Sequence, residues 1–354
     1  MKKRSVKFTI RSLMKMMTSA LLGLLLVGFF WVTENTTETS QPVYGSPPEL
    51  YANQQRVDLR QSYLGAIDKA QHSILFIIYA LTDDKIINAL KKKADEGVDV
   101  RIIYDAKASP YTDRKLGSKV NVTKRFGDGL MHIKILCIDD TEVWLGSANM
   151  SSESLRMHAN LVAAVISPEI AEMVTTKASG MGEYGRSAPV PHRTFLLGGQ
   201  SVELWFLPDN SHAVLQIKDL IRSAKKTLRI AMFTWTREDF AKAVIDASKR
   251  GVDVQVAMDR SSAEGKGASN KIAEMLKKGG VSVHFNKGAA LLHHKFCYID
   301  SATLVNGSAN WTKAAFTQND DCFMIFHELT PKQTAYMDAL WETIISESKG
   351  GSSR

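Results

Sequence analysis

The sequence predicts an α/β protein in which two duplicated α/β units, related by a pseudo-twofold axis, follow an N-terminal hydrophobic segment. Three observations predict it. Strand and helix patterns alternate along the chain, Gly-Val-Asp-Val occurs at 97–100 and again at 251–254, and one long apolar run, Met16–Val32, follows a basic start.

The N-terminal element comes first. Lys2, Lys3, Arg4, Lys7, Arg11 and Lys15 precede the apolar run, and polar TENTTETSQ follows it. This predicts a signal peptide or, from flanks and length, an uncleaved membrane anchor with a polar spacer over residues 1–40. No small-x-small cleavage pattern follows the run, and Trp31 closes it where an interfacial aromatic would sit. Basic residues kept on the cytoplasmic side would make the remainder of the chain extracytoplasmic, whereas cleavage would leave it secreted. The flank also accounts for six of the eight net positive charges, leaving +2 (8 − 6) for the rest. That balanced body lacks the basic stripe of a nucleic-acid binder.

The first unit is placed at 50–180. Its AIDKAQHSILFIIYALTD is a helix end, a turn and an apolar strand, and KIINALKKKADEGVDVRIIYD adds an amphipathic helix, a terminating glycine and a second strand. A Gly-, Pro- and Ser-rich stretch at 181–200 reads as a linker. The second unit, 201–347, repeats the plan in LIRSAKKTLRIAMFTWTRED and FAKAVIDASKRGVDVQVAMDR, with Asp259 where the first has Asp105; residues 348–354 read as a flexible tail. Strand–helix–strand order implies parallel pairing through right-handed crossovers. The cysteines, Cys137, Cys297 and Cys322, make no CxxC pair and read as core residues of apolar strands.

The chemistry sits in the next repeated segment. MHIKILCIDDTEVWLGSANMS and LHHKFCYIDSATLVNGSANWT share His-x-Lys-x4-Asp: His132, Lys134 and Asp139, then His293, Lys295 and Asp300. Each copy continues to Gly-Ser-Ala-Asn, giving Ser147 and Asn149, then Ser308 and Asn310. Alternate residues of a strand share a face, so His132 projects with Lys134 and His293 with Lys295. His294 points the other way and reads as a partnered structural histidine. Two histidines, two lysines and two amides around one point suit a tetrahedral phosphate. Lysines and amides would neutralise non-bridging oxygens, one imidazole would attack phosphorus, and the other would protonate the leaving alkoxide. The pattern needs no cofactor, and no carboxylate cluster offers a metal site.

These motifs resemble the two-repeat members of the phospholipase D superfamily from about residue 55 to 345. The resemblance implies α/β sandwich units and a phosphohistidine intermediate resolved by water or an alcohol. It makes His132 and His293 nucleophile and acid, gives Lys134, Lys295, Asn149 and Asn310 to phosphate binding, and leaves Asp139, Asp300, Ser147 and Ser308 as support. Asn160 and Asp321 stand equally far beyond their histidines, before NLVAAVI and DCFMIFH, where relatives often orient a histidine. A carboxylate there would raise one imidazole's basicity. The sequence does not say which histidine Asp321 faces; analogy with two-repeat relatives makes His132 the nucleophile. The substrate reading is phospholipid, hydrolysed or transferred at a membrane. Its alternatives are an anchored or secreted nuclease acting on DNA or RNA, and a binding protein with a dead site. Both half-sites lie in one chain, so a monomer suffices.

Overall fold

The computed structural model describes residues 41–127 and 129–349. The expected signal peptide or anchor at 1–40 lies outside them, as do Asp128 and 350–354. Among the described residues no helix is long and apolar enough to cross a membrane.

Seven strands build the first sheet: β1 (Glu49–Ala52), β2 (Ser73–Ile78), β3 (Asp99–Asp105), β4 (Asn121–Arg125), β5 (Lys134–Ile138), β6 (Glu142–Gly146) and β7 (Leu161–Ile166). Their order is β1-β7-β6-β5-β2-β3-β4. The pairs β2–β3 and β3–β4 are parallel, as the strand–helix–strand reading requires, and β5, β6, β7 and β1 meander antiparallel beside them. The second sheet adds β8 (Arg193–Leu197), β9 (Gln200–Leu207), β10 (Thr227–Met232), β11 (Asp253–Met258), β12 (Ser282–Phe285), β13 (Lys295–Ile299), β14 (Thr303–Gly307) and β15 (Asp321–Phe326). Its order, β12-β11-β10-β13-β14-β15-β9-β8, repeats the first with one strand added. That extra strand, β8, forms a hairpin with β9 inside the stretch read as linker. At the other end, helix Pro331–Lys349 runs two residues into the stretch read as tail.

Burial on both faces explains why the central strands are apolar runs rather than alternating ones. In β5, Ile135 and Cys137 point to a core shared with the second sheet, while Leu136 and Ile138 point to the first unit's own helices. In β13, Phe296 and Tyr298 face the shared core and Cys297 and Ile299 face the outer helices. The two sheets thus meet across the shared core, which also takes the apolar faces of helices Pro168–Ser179 and Pro331–Lys349, while other helices cover the outer faces. All three cysteines are buried and free, and Trp144, Trp235 and Trp311 lie in the outer cores.

The outer helices follow from their periodicity. In Asp84–Asp95 the buried positions Ile86, Ile87, Leu90 and Ala94 make one stripe, and Asp83 caps the first turn by accepting from Lys85 and Ile86 N–H. Phe240, Ala241, Val244 and Ala247 make the matching stripe of Glu238–Lys249. Both helices give way at glycines in the left-handed region, Gly97 at φ 96° and Gly251 at φ 91°, where a side chain would be strained.

Two aspartates fix the frame. Asp139, just beyond β5, accepts from Gln71, His72 and Ser73 N–H, pinning the start of β2. Asp300 does the same for Lys225, Lys226 and Thr227. Burial opposes ionisation of both, yet these backbone donors hold both carboxyls below the usual range. The motif's lysine starts the strand and its aspartate follows the other end. These aspartates therefore cannot reach the chemistry at the lysine end.

Candidate active site

The site forms where the strands β5 and β13 begin, and each histidine is held by the opposite repeat. His132 N–H donates to the Asp320 carbonyl at 2.7 Å, and His293 N–H donates to the Ala159 carbonyl at 2.9 Å. Each motif thus enters its strand already paired across the pseudo-dyad.

The side chains cross over in the same way. His132 Nδ1 lies 2.8 Å from Asp321 Oδ1, and His293 Nδ1 lies 3.0 Å from Asn160 Oδ1. A carboxylate only accepts, so the proton of neutral His132 sits on Nδ1. Asn160 Nδ2 donates to the Ser154 carbonyl at 2.8 Å, which turns its Oδ1 toward His293 and sets the same tautomer there. Both Nε2 atoms are left for chemistry.

The Gly-Ser-Ala-Asn segments explain these placements. A Cβ on Gly146 would come within 2.3 Å of the Leu161 carbonyl, and one on Gly307 within 2.3 Å of the Cys322 carbonyl, so only glycine allows β6 and β14 this close to β7 and β15. Ser147 Oγ then donates to Asn160 Oδ1 at 2.9 Å, and Ser308 Oγ donates to Asp321 Oδ1 at 2.7 Å. The serines orient the groups that orient the histidines. Asn310 Oδ1 accepts from Thr234 N–H at 3.2 Å, whereas Asn149 Oδ1 is buried with no partner among the described residues. Neither Nδ2 has a protein acceptor among those residues, which leaves both amides able to donate to an anion.

Lys134 and Lys295 are buried. Each ammonium donates to its own motif's histidine carbonyl at 2.7 Å and lies over an aromatic ring, Tyr79 at 5.1 Å and Phe233 at 4.8 Å. Burial pushes Lys134 down to about 7, and burial together with Lys134 holds Lys295 well below the usual lysine range. Asp321 opposes both shifts, and a phosphodiester's negative charge would favour both ammonium forms further.

The histidines differ electrostatically. Burial and Lys134 lower His132, but Asp321 opposes them. Burial, Lys295 and Lys134 push His293 well below the usual histidine value, and its partner is a neutral amide. For Asp321 burial acts upward, yet His132 and Lys134 bring the carboxyl below its usual range.

The structure thus brings together His132, His293, Lys134, Lys295, Asn160, Asp321, Ser147 and Ser308, with Asn149 and Asn310 on the adjoining turns; Asp139 and Asp300 sit apart. His294 Nε2 donates to Gln54 Oε1 at 2.7 Å in the interior, as a structural histidine should. Among the described residues no three His, Cys, Asp or Glu side chains converge as a metal site would require. Sequence reasoning missed Tyr79 and Phe233, although both directly follow matching apolar strands, β2 and β10. It also missed His158, whose ring centre lies 6.4 Å from that of His293. Arg125 escaped it as well: its guanidinium pairs with Asp320 at 2.7 Å and donates to the Gly182 and Gly185 carbonyls. A cavity of about 720 Å³ opens beside Arg125, bordered by the stacked Phe126 and Tyr184, Arg186 and Asp320.

Comparison with known proteins agrees with the two-repeat fold. Over 128 residues the chain is 34% identical to a mitochondrial cardiolipin hydrolase of Chlamydomonas reinhardtii, an alignment covering 35% of this chain and 55% of that one. Over 116 residues it is 29% identical to cardiolipin synthase 1 of Bacillus cereus, covering 30% of this chain and 23% of that one. The chain thus spans about half the length of the hydrolase it matches, and less of the synthase. The solved phosphatidylserine synthase of Haemophilus influenzae shares the fold, with a TM-score of 0.66 at 14% identity over 87% of this chain and 88% of that one. The family described as cardiolipin synthase, PLD-like domain, matches residues 63–181 and 217–341, both repeats and both histidine motifs, and the chain belongs to it and so to the phospholipase D superfamily.

Proposed function

We propose that the protein is a phosphodiesterase that hydrolyses phospholipids or transfers their phosphatidyl groups without a metal, through a phosphohistidine on His132. The observation that carries the reading is the crossed pairing, His132 with Asp321 and His293 with Asn160, around two buried lysines. Lys134, Lys295 and the amides of Asn149 and Asn310 take the non-bridging oxygens, and this electrostatic complement strengthens as charge builds on them. His132 Nε2 attacks phosphorus. Its ring then carries positive charge, which the Asp321 carboxylate stabilises through Nδ1–H. His293 gives its Nε2 proton to the departing alkoxide. An amide partner holds that proton less tightly than a carboxylate would, so the asymmetry favours this division of roles. His293 then takes the proton of the water or alcohol that attacks phosphorus and frees His132. The phosphodiester's negative charge relieves the two lysines and raises the proton affinity of His293, arming the acid only when substrate is bound.

Phospholipid is preferred because relatives carry names of cardiolipin-processing enzymes and because the apolar run Met16–Val32 fits a membrane-held enzyme. The test uses full-length protein in detergent with excess chelator, comparing labelled phospholipid vesicles with single-stranded DNA and RNA; His132→Ala is the blank. Headgroup release that vanishes in the blank is expected. Nucleic-acid cleavage without lipid turnover would make this an anchored nuclease, and a requirement for added metal would overturn the mechanism.

A further inference from the structure

The two sides of the catalytic centre differ in a residue that the mechanism above leaves unused. Two positions before Asp321 stands Asn319, and both ends of its amide are occupied: Oδ1 accepts from Leu130 N–H at 3.0 Å and Nδ2 reaches Asp321 Oδ2 at 3.4 Å. Two positions before Asn160 stands His158. Its backbone is fixed, N–H to the Glu153 carbonyl at 2.9 Å and its own carbonyl accepting from Asn160 Nδ2 at 3.3 Å. Its half-buried ring has no hydrogen-bond partner among the described residues. That ring is tilted 43° to His293, with centres 6.4 Å apart. A rigidly mounted imidazole with free nitrogens is thus paired with the histidine that handles leaving and entering oxygens.

We propose that His158 is a headgroup-binding residue that holds a second hydroxyl of the alcohol whose first hydroxyl is served by His293, selecting glycerol-type 1,2-diols over simple alcohols. The inference rests on the phosphatidyl-transfer reading above. Adjacent hydroxyl oxygens of a diol lie about 2.8 Å apart, and each accepts or donates over a similar distance, so the pair spans two imidazoles at this spacing. Water and simple alcohols offer one oxygen and engage His293 alone. Burial, ahead of the opposing Glu153, lowers the proton affinity of His158. The neutral ring offers one donor and one acceptor, which suits a hydroxyl and not an ammonium headgroup. In the transfer step the acceptor oxygen forms a bond to phosphorus, the bond to His132 Nε2 breaks with its electron pair returning to nitrogen, and the hydroxyl proton passes to His293. His158 exchanges no proton in that step.

The experiment presents full-length protein with phosphatidylglycerol vesicles and two competing acceptors, labelled glycerol and 1-propanol. Both products arise from one phosphoenzyme, so their ratio reports acceptor choice and is independent of how fast that intermediate forms. In His158→Ala the ratio of labelled-glycerol lipid to phosphatidylpropanol is expected to fall about tenfold, the size of one hydrogen bond. His158→Asn, which copies Asn319, retains a short polar group and is expected to fall between. If His158 only braced His293, both products would drop together at constant ratio, and that result overturns the subsite. Absence of any lipid turnover by the unmutated protein overturns the phosphatidyl-transfer reading and the subsite with it.

Discussion

The two halves of the catalytic centre are built by the same strands in the same register, yet they are not chemically equivalent. On one side His132 meets a carboxylate, and Arg125, Asp320 and Asn319 surround it in a closed network. On the other, His293 meets an amide, Asn286 and Ala159 stand where Arg125 and Asp320 would be, and His158 is left unsatisfied among the described residues. The frame is symmetric because both halves need the same strand ends. The difference lies in whatever sets proton affinity. Under the proposed mechanism that difference would let one side carry a positive ring through a covalent intermediate and the other release and recapture a proton.

The largest effects break the comparison at its two histidines. His132→Ala is expected to abolish turnover of every phosphodiester, by about 10⁴-fold or more, since nothing else supplies the nucleophile. His293→Ala is expected to lose about 10²–10⁴-fold with natural alkoxide leaving groups. With a p-nitrophenyl phosphodiester, whose leaving group needs no proton, it is expected to retain a burst of nitrophenolate while His132→Ala gives none. A burst from His132→Ala alone would exchange the two roles.

Making the sides alike is the next test. Asp321→Asn removes the carboxylate behind His132 and is expected to lower kcat about 10–100-fold, the usual cost of an orienting partner. The reverse change, Asn160→Asp, places a negative charge beside His293. That imidazole now sits well below its ordinary value, chiefly through burial. A neighbouring carboxylate favours the protonated ring, so the acid stays charged to higher pH and the alkaline limb of the kcat profile is expected to move upward. An unmoved limb would mean that His293 is not the proton donor.

Much of this site is legible in the sequence because duplication acts as an internal alignment. Positions that serve both halves identically, the histidines, lysines, Gly-Ser-Ala-Asn segments and framework aspartates, recur letter for letter and stand out. So does the two-sheet plan, since Gly97 and Gly251 mark equivalent helix ends. The crossing of partners is not legible: which histidine Asp321 reaches depends on how two sheets pack face to face, and no local spacing encodes that. Single-copy features escape for a related reason. Nothing in the first half marks His158 against Asn319 as a gain of function rather than drift, and β8 hides in a stretch whose glycines and prolines read as linker.

The smallest catalytic effect is expected at Arg125, where the comparison concerns stability. Its guanidinium is buried with Asp320 and also gathers the Gly182 and Gly185 carbonyls, so it ties the inter-repeat segment to the edge of the site. The opposite side does without such a pair, because Ala159 brings no charge to neutralise. Removing one partner of a buried pair strands the other: Arg125→Ala leaves the Asp320 carboxylate without its cation and is expected to cost roughly 3–5 kcal/mol of stability. Removing both charges together, Arg125→Met with Asp320→Ala, strands no charge, as on the opposite side where Ala159 brings none, and is expected to recover most of that loss. The Asp320 carbonyl that receives His132 N–H belongs to the backbone and survives both changes. Turnover by the folded fraction is therefore expected to stay within about tenfold of the parent, with denaturant unfolding as the readout of stability. A double variant less stable than the single would mean that Arg125 acts through its two carbonyls, holding the segment in place, and not through the charge it neutralises.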